Sequence, residues 1–475
     1  MMQSSPYHPK SPIQNPKWYH HPKEDRPLTT RVILVRHGES SYNIERRVQG
    51  HCDESALTEA GRASAKQVGV ALTDLPFQAI YTSPLQRAKE TAEIIAAGLT
   101  AAPALQPTDD LKEVNLVLWE GLLFTEVAEK YPDEYRQWQK EPHLMRMAVP
   151  AADGTTIDFF PIPALYEQAR QFWQTVLPQH AGQTILVVAH SGINRALIST
   201  AIGLTPDRYQ SIQQSNCGIS VLNFSGGLGD PVQMESLNLT SHLGDRLPKI
   251  RPGHTGPRLL LVRHGETDWN RQSRFQGQID VPLNDTGRSQ AQKAADFLQP
   301  VTLDRAVSSP MLRPKETAEI ILQQHPHITL ELNEFLVEIN HGLWEGKYEA
   351  EIKQLYAQEL ADWHTRPETV QMPEGENLQQ VWQRAEIAWK AIVTAAASRP
   401  EFTTVLVVAH DAINKAILCQ VLGLQPANFW NFRQGNGAVS VIDYPDGADS
   451  APILQAMNIT THLGSVLDKT AAGAL

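Results

Sequence analysis

Arg36-His37-Gly38 follows a short apolar run, Val32 to Val35, and a second histidine, His190, closes another, Ile185 to Ala189. Asn43 stands six residues after His37, Arg87 follows Ser83-Pro84, and Glu113 precedes Trp119-Glu120-Gly121. Imidazoles and guanidiniums placed at strand ends suit an anion, because Arg offers phosphate oxygens a planar fork of donors and nearby helix N-termini add backbone N–H groups. A lone Arg-His-Gly is weak evidence, since such triples arise by chance. The set gains weight by occurring twice: Arg263-His264-Gly265, Asn270, Arg313 after Ser309-Pro310, Glu338 before Trp344-Glu345-Gly346, and His410 closing Val405 to Ala409.

The offset between copies is 227 residues from His37 to His264 and 220 from His190 to His410, which marks a whole domain duplicated with changes confined to loop lengths. Asn238 to Gly244 returns as Asn458 to Gly464, so the copies end alike. Pro248, Pro252, Gly253, Gly256 and Pro257 indicate a linker at 248–257, giving expected domains at 31–247 and 258–470. Residues 1–30, rich in Pro, His, Ser and Lys, read as a disordered tail, in which His8, His20 and His21 are better explained by solvation than by a metal.

These residues need elements to hold them. The apolar runs before His37, His190, His264 and His410 are too short for core helices and suit buried strands. Thr58 to Arg62 and Asp285 to Arg288 carry cap-type residues and lead into Ala-rich helices. Ser83 and Ser309 are expected to cap helices with Pro84 and Pro310 in the first helical position, which puts Arg87 and Arg313 in the first turn. Strand and helix alternate, so each copy should be an α/β fold of three layers, α/β/α, with a mainly parallel sheet. Ligands in such folds sit beyond the carboxyl ends of the strands, where both histidines and both arginines of a copy fall.

Bulk properties narrow the field. A net charge of -11 disfavours nucleic acid, which needs a basic face. No apolar run reaches the roughly 18 to 20 residues that span a bilayer. Cys52, Cys217 and Cys419 lack metal-type spacing and read as incidental thiols, so the expectation is a soluble, cytoplasmic protein with no membrane partner.

Taken together, the motifs resemble the histidine phosphatase superfamily, the phosphoglycerate mutase-like family, across nearly all of both domains. That resemblance implies that His37 and His264 are nucleophiles toward phosphorus, that Arg36, Asn43, Arg87 and His190 hold the transferring oxygens in the first copy, and that Arg263, Asn270, Arg313 and His410 do so in the second. It makes Glu113 and Glu338 the proton donors to the leaving alkoxide. It also implies a small phosphorylated metabolite as substrate, and neither metal nor cofactor. Glu39 and Glu266 read as structural supports, and Trp119 and Trp344 as packing residues.

The copies depart from the family pattern in places. A Gly usually lies four residues after the acid, as Gly342 does, but the first copy has Val117, so its acid loop must be built differently if that position needs positive φ. The small residues expected after the second histidine appear as Ser191-Gly192, whereas the second copy has Asp411-Ala412, whose carboxylate must pair with a cation or point away. Pro373 to Asn377 matches the family's loop before the penultimate helix, and Pro161-Ile162-Pro163 does not. Phosphatase chemistry leads. A mutase is disfavoured by the missing Glu-Arg-His-Tyr-Gly segment, and a non-catalytic phosphate-binding module by the intact side-chain sets. The loops 122–163 and 347–377 are the expected selectors of substrate.

Overall fold

Runs of β-branched and aliphatic residues with no polar alternation belong at the centre of a sheet covered on both faces, and that is where they lie. In the computed structural model, which describes residues 29–150, 154–399, 401–464 and 466–467, the first repeat contributes β1 (Thr30–Arg36), β2 (Ala79–Thr82), β3 (Leu105–Pro107), β4 (Met147–Pro150), β5 (Thr156–Phe159), β6 (Thr184–Ala189), β7 (Ile219–Phe224) and β8 (Val232–Leu239). The second contributes β9 (Arg258–Arg263), β10 (Arg305–Ser308), β11 (Leu330–Leu332), β12 (Thr404–Ala409), β13 (Val439–Asp443) and β14 (Ile453–Ile459). Residues 32–35 and 185–189 are completely buried, as are 259–262 and 405–409. Nearly all of the expected tail, His8, His20 and His21 included, lies outside the described residues. Thr30 already belongs to β1, one residue ahead of the expected domain start.

Each half is parallel where the site is built. β1 pairs with β6, β6 with β2 and β2 with β3 in parallel, while β7 joins β1 antiparallel and carries β8 outward. The second half repeats this order. Helices pack on both faces, with buried residues on Glu59–Ala71 and Gln86–Ala97 contributing to one core and those on Pro161–Val176 and Ser191–Ile202 to another. β4 and β5 form a separate hairpin. None of the described helices is long and apolar enough to cross a membrane.

The halves are not beads on a string. β8 and β14, each the last strand of its repeat, pair antiparallel through Leu237 and Met457, and the twelve strands form one sheet. Leu237 and Met457 are themselves equivalent, at the 220-residue offset of His190 and His410. Around them bonds are exchanged reciprocally. Asn238 Nδ2 donates to the Gln455 carbonyl and Asn458 Nδ2 to the Glu235 carbonyl, both at 2.7 Å. The Gln213 amide donates to the Leu454 carbonyl, and the Arg433 amide to that of Met234. Both asparagines sit at positive φ, 50° and 58°, a conformation Asn tolerates better than most residues.

Asn238→Ala removes a buried donor pair, strands the Ser215 amide that its Oδ1 accepts at 2.7 Å, and puts a less tolerant residue at positive φ. The expected loss is about 3 kcal/mol. It should appear as a lower urea midpoint for the intact chain.

Candidate active site

His37 directly follows β1 and His190 directly follows β6, the neighbouring parallel strand, so strand pairing brings their rings to a centroid separation of 5.1 Å. His264 and His410, directly after β9 and β12, have ring centroids 5.2 Å apart. The Nδ1 of His37 lies 2.7 Å from the Gly38 carbonyl, and that of His264 lies 2.7 Å from the Gly265 carbonyl. A carbonyl can only accept, so the proton resides on Nδ1 and the lone pair resides on Nε2 in both copies. In the second copy that lone pair already accepts from Arg313 Nε at 3.3 Å. Burial pushes all four histidines well below their usual range, and the flanking arginines add to the shift.

Arg87 and Arg313 lie on the first turns of Gln86–Ala97 and Leu312–Leu322. Those helices start two residues later than expected. Leu85 and Met311 occupy the cap positions, and the capping carboxylates come from distant loops: Asp53 accepts from the Gln86 amide at 2.6 Å and Asp280 from the Leu312 amide at 2.8 Å. The Ser83 and Ser309 hydroxyls accept from the amides two residues on, and Ser309 Oγ also lies 2.9 Å from His410 Nε2. The cap expected near Asp285 is Asn284, which accepts from the Gly287 amide.

Carbonyls aim the guanidiniums. Gly50 and Cys52 hold the terminal nitrogens of Arg87, and Gly277 and Ile279 those of Arg313. Gln214 and Gln434 carbonyls hold Arg36 and Arg263 at 2.8 and 2.7 Å. Among the described residues, the buried Nε atoms of Arg36 and Arg87 and both ring nitrogens of His190 have no protein partner. Buried guanidinium donors beside an imidazole, left without a protein acceptor, match an oxyanion. Desolvation lowers Arg36 and Arg313 to about 10, still cationic at neutral pH. Asn43 Oδ1 is tied to the Ser40 amide and Asn216, which leaves Nδ2 as its group for a phosphate, and Asn270 is tied likewise to Thr267 and Asn436.

The acids are held by the helix that follows the second histidine. Glu113 accepts from the amides of Gly192 and Ile193 at 3.1 and 3.2 Å, and Glu338 accepts from Ala412 at 3.1 Å. Burial, reinforced by Asp411 and opposed by Arg313, raises Glu338 above the ordinary carboxyl value. Glu39 accepts from Thr58 Oγ1, and Glu266 from Arg271 and Asn284, so both brace loops. Trp119 and Trp344 are completely buried.

The departures have physical answers. Gly342 has φ 54° and packs so closely on Pro373 that a Cβ there would lie 2.0 Å from its carbonyl oxygen. Val117 has no positive φ, is half exposed, and lies in a loop turned by the Asn115 side chain, with no counterpart of the 373–377 segment against it. In the second copy Glu376 ties that segment to the acid loop through the Asn340 amide and Arg384, which also reaches the Glu338 carbonyl. Gln168 replaces Arg384 in the first copy, holding the carbonyls of Asp110 and Lys112. Asp411 pairs with Lys415 at 2.7 Å and lies 3.6 Å from Arg263, the cationic pairing its position required.

One loop went unread in the sequence. Cys217 and Gly437, at φ 55° and 72°, turn their amides onto the carbonyls of the Arg-His pair, while Asn216 and Asn436 donate to the His37 and His264 carbonyls. The signal was present: Gln214-x-Asn216 recurs as Gln434-x-Asn436 at the 220-residue offset. This loop also receives the Asn238 and Asn458 side chains, so the brace of each site reaches the seam.

Comparison with known proteins agrees with this arrangement. The profile of the histidine phosphatase superfamily (branch 1) matches residues 32–236 and again 259–459. The chain therefore belongs to that superfamily, and its class is that of a phosphoric monoester hydrolase. It is 32% identical over 457 residues to 2-carboxy-D-arabinitol-1-phosphatase of Triticum aestivum, covering 91% of this chain and 86% of that protein. A probable 2-carboxy-D-arabinitol-1-phosphatase of Arabidopsis thaliana is 31% identical over 92% of this chain and 88% of its own length. Phosphoserine phosphatase 1 of Hydrogenobacter thermophilus matches 45% of this chain over 95% of its own length at 32% identity.

Proposed function

We propose that each repeat hydrolyses a small phosphomonoester through a phosphohistidine, without a metal, in the cytoplasm. The placement of the lone pair on Nε2, fixed by the Gly38 and Gly265 carbonyls, carries this reading. His37 or His264 Nε2 attacks phosphorus, the P–O bond to the organic group breaks, and Glu113 or Glu338 passes its proton to the departing oxygen. Arg36, Asn43, Arg87 and His190, with Arg263, Asn270, Arg313 and His410 in the second copy, neutralise charge on the three oxygens in flight. Water, deprotonated by the same Glu, then takes the phosphoryl group and frees the histidine. Burial favours both required starting forms in the second copy, a neutral histidine and a protonated Glu338.

The two long relatives act on a sugar-acid phosphate by name, which favours that substrate class here. The test is rapid acid-free quenching after mixing with ³²P-labelled substrate in EDTA. Protein-bound label that survives base and is lost in acid, with unchanged phosphate release in EDTA, is expected. Acid-stable label, or release abolished by EDTA, overturns the mechanism.

A further inference from the structure

The two pockets share their phosphate-handling residues but not the charge beside them. On the helix after His190, Arg195 extends toward Tyr209, with its guanidinium 5.5 Å from the ring centroid, and its presence opposes the charge on Arg36. Arg195 Nη2 reaches Gln213 Oε1 at 3.4 Å, an oxygen that also accepts from Arg251. Among the described residues neither Arg195 nor Arg251 has a carboxylate partner. Tyr209 Oη adjoins the acid: a Cβ on Gly192 would meet Glu113 Oε1 at 2.3 Å and Tyr209 Oη at 2.7 Å.

The second pocket has answered each feature differently. Lys415 replaces Arg195 and is neutralised by Asp411, which stands where the first copy has Ser191. Phe429 replaces Tyr209, and Ala412 stands where Gly192 lets Glu113 and Tyr209 Oη approach the backbone. His341, where the first copy has Leu116, lines this pocket with Trp363, Phe429 and Trp430, and burial keeps it uncharged by pushing its pKa down to about 3. Aromatic faces with one neutral polar ring suit a hydroxylated carbon skeleton.

Resting on the reading of both sites as phosphomonoesterases, we infer that the repeats divide substrates by charge. The first takes phosphate esters that also carry a carboxylate, bound by Arg195 and Tyr209 with Arg251 behind them. The second takes esters of uncharged polyols and offers a carboxylate no free cation at the Arg195 position, because Asp411 neutralises Lys415.

The experiment compares 3-phosphoglycerate with glycerol 3-phosphate, which differ in a carboxylate against a hydroxymethyl group. The full-length His264→Ala chain reports the first site and the His37→Ala chain the second, with p-nitrophenyl phosphate as a probe of turnover at either. The acid-to-neutral ratio of kcat/KM should exceed one by about tenfold at the first site and fall below one at the second. Arg195→Gln should collapse the first ratio by about tenfold, and Asp411→Ser should raise the second by a similar factor. Equal ratios at both sites, with p-nitrophenyl phosphate turned over by each, overturn the division while sparing the phosphatase reading. No turnover of any of the three compounds by the unmodified chain overturns both.

Discussion

Replacing His37 and His264 together by Ala lowers phosphate release by on the order of 10⁴-fold or more, because the nucleophiles are lost and His190, His410 and the arginines are placed to bind the phosphate oxygens. Each single replacement leaves the other site working, since the nucleophiles sit on separate halves of the sheet. Their residual rates should add up to the rate of the unmodified chain within error. A single replacement that abolishes release on every substrate would mean that one copy is a scaffold. Circular dichroism separates loss of chemistry from loss of fold, as His37 and His264 sit at strand ends beside a carbonyl that an Ala leaves intact.

The acids should reveal themselves through the leaving group. With Glu113→Gln and Glu338→Gln combined, an alkyl phosphate departs as an unprotonated alkoxide, and its kcat should fall by roughly 10² to 10³. p-Nitrophenolate needs no proton to leave, so the first step on p-nitrophenyl phosphate should change little, and the phosphohistidine should accumulate because water activation is also impaired. Equal losses in the first, phosphohistidine-forming step on both esters would show these carboxylates to be loop supports. At Glu338 burial raises the carboxyl, so its proton-donating form extends above the usual carboxylate range. The histidines are lowered, so their nucleophilic form extends below the usual imidazole range. The His37→Ala chain should accordingly keep its activity into mildly acidic buffer and lose it on the alkaline side as Glu338 ionises.

Much of this site was legible because it is local. A strand ending in histidine, an arginine in a first helical turn and an acid before a buried tryptophan are all set by a few neighbouring residues. What escaped is non-local. The caps on the arginine-bearing helices were assigned to Ser83 and Ser309, yet the carboxylates of Asp53 and Asp280 arrive from loops more than 30 residues away. The fusion of two sheets also left no composition signal, since an edge strand pairs through backbone groups that every residue has. Asn238 and Asn458 were visible as a repeated motif, but only the positive φ and the opposite repeat's carbonyl explain why asparagine stands there.

That seam has a bearing on how the two copies can drift apart. It matches residues with their own equivalents, as the contact of a two-fold dimer does, so a change on one side meets the same neighbourhood from the other. Asn238 and Asn458, and the Ser220 and Ser440 hydroxyls that accept their amides, have stayed alike. The pockets face no such partner, and there Ser191 has parted from Asp411, Tyr209 from Phe429 and Leu116 from His341. Duplication has thus produced a covalently tied dimer whose joint keeps its asparagine and serine frame, even where Leu237 faces Met457, while its cavities are free to specialise.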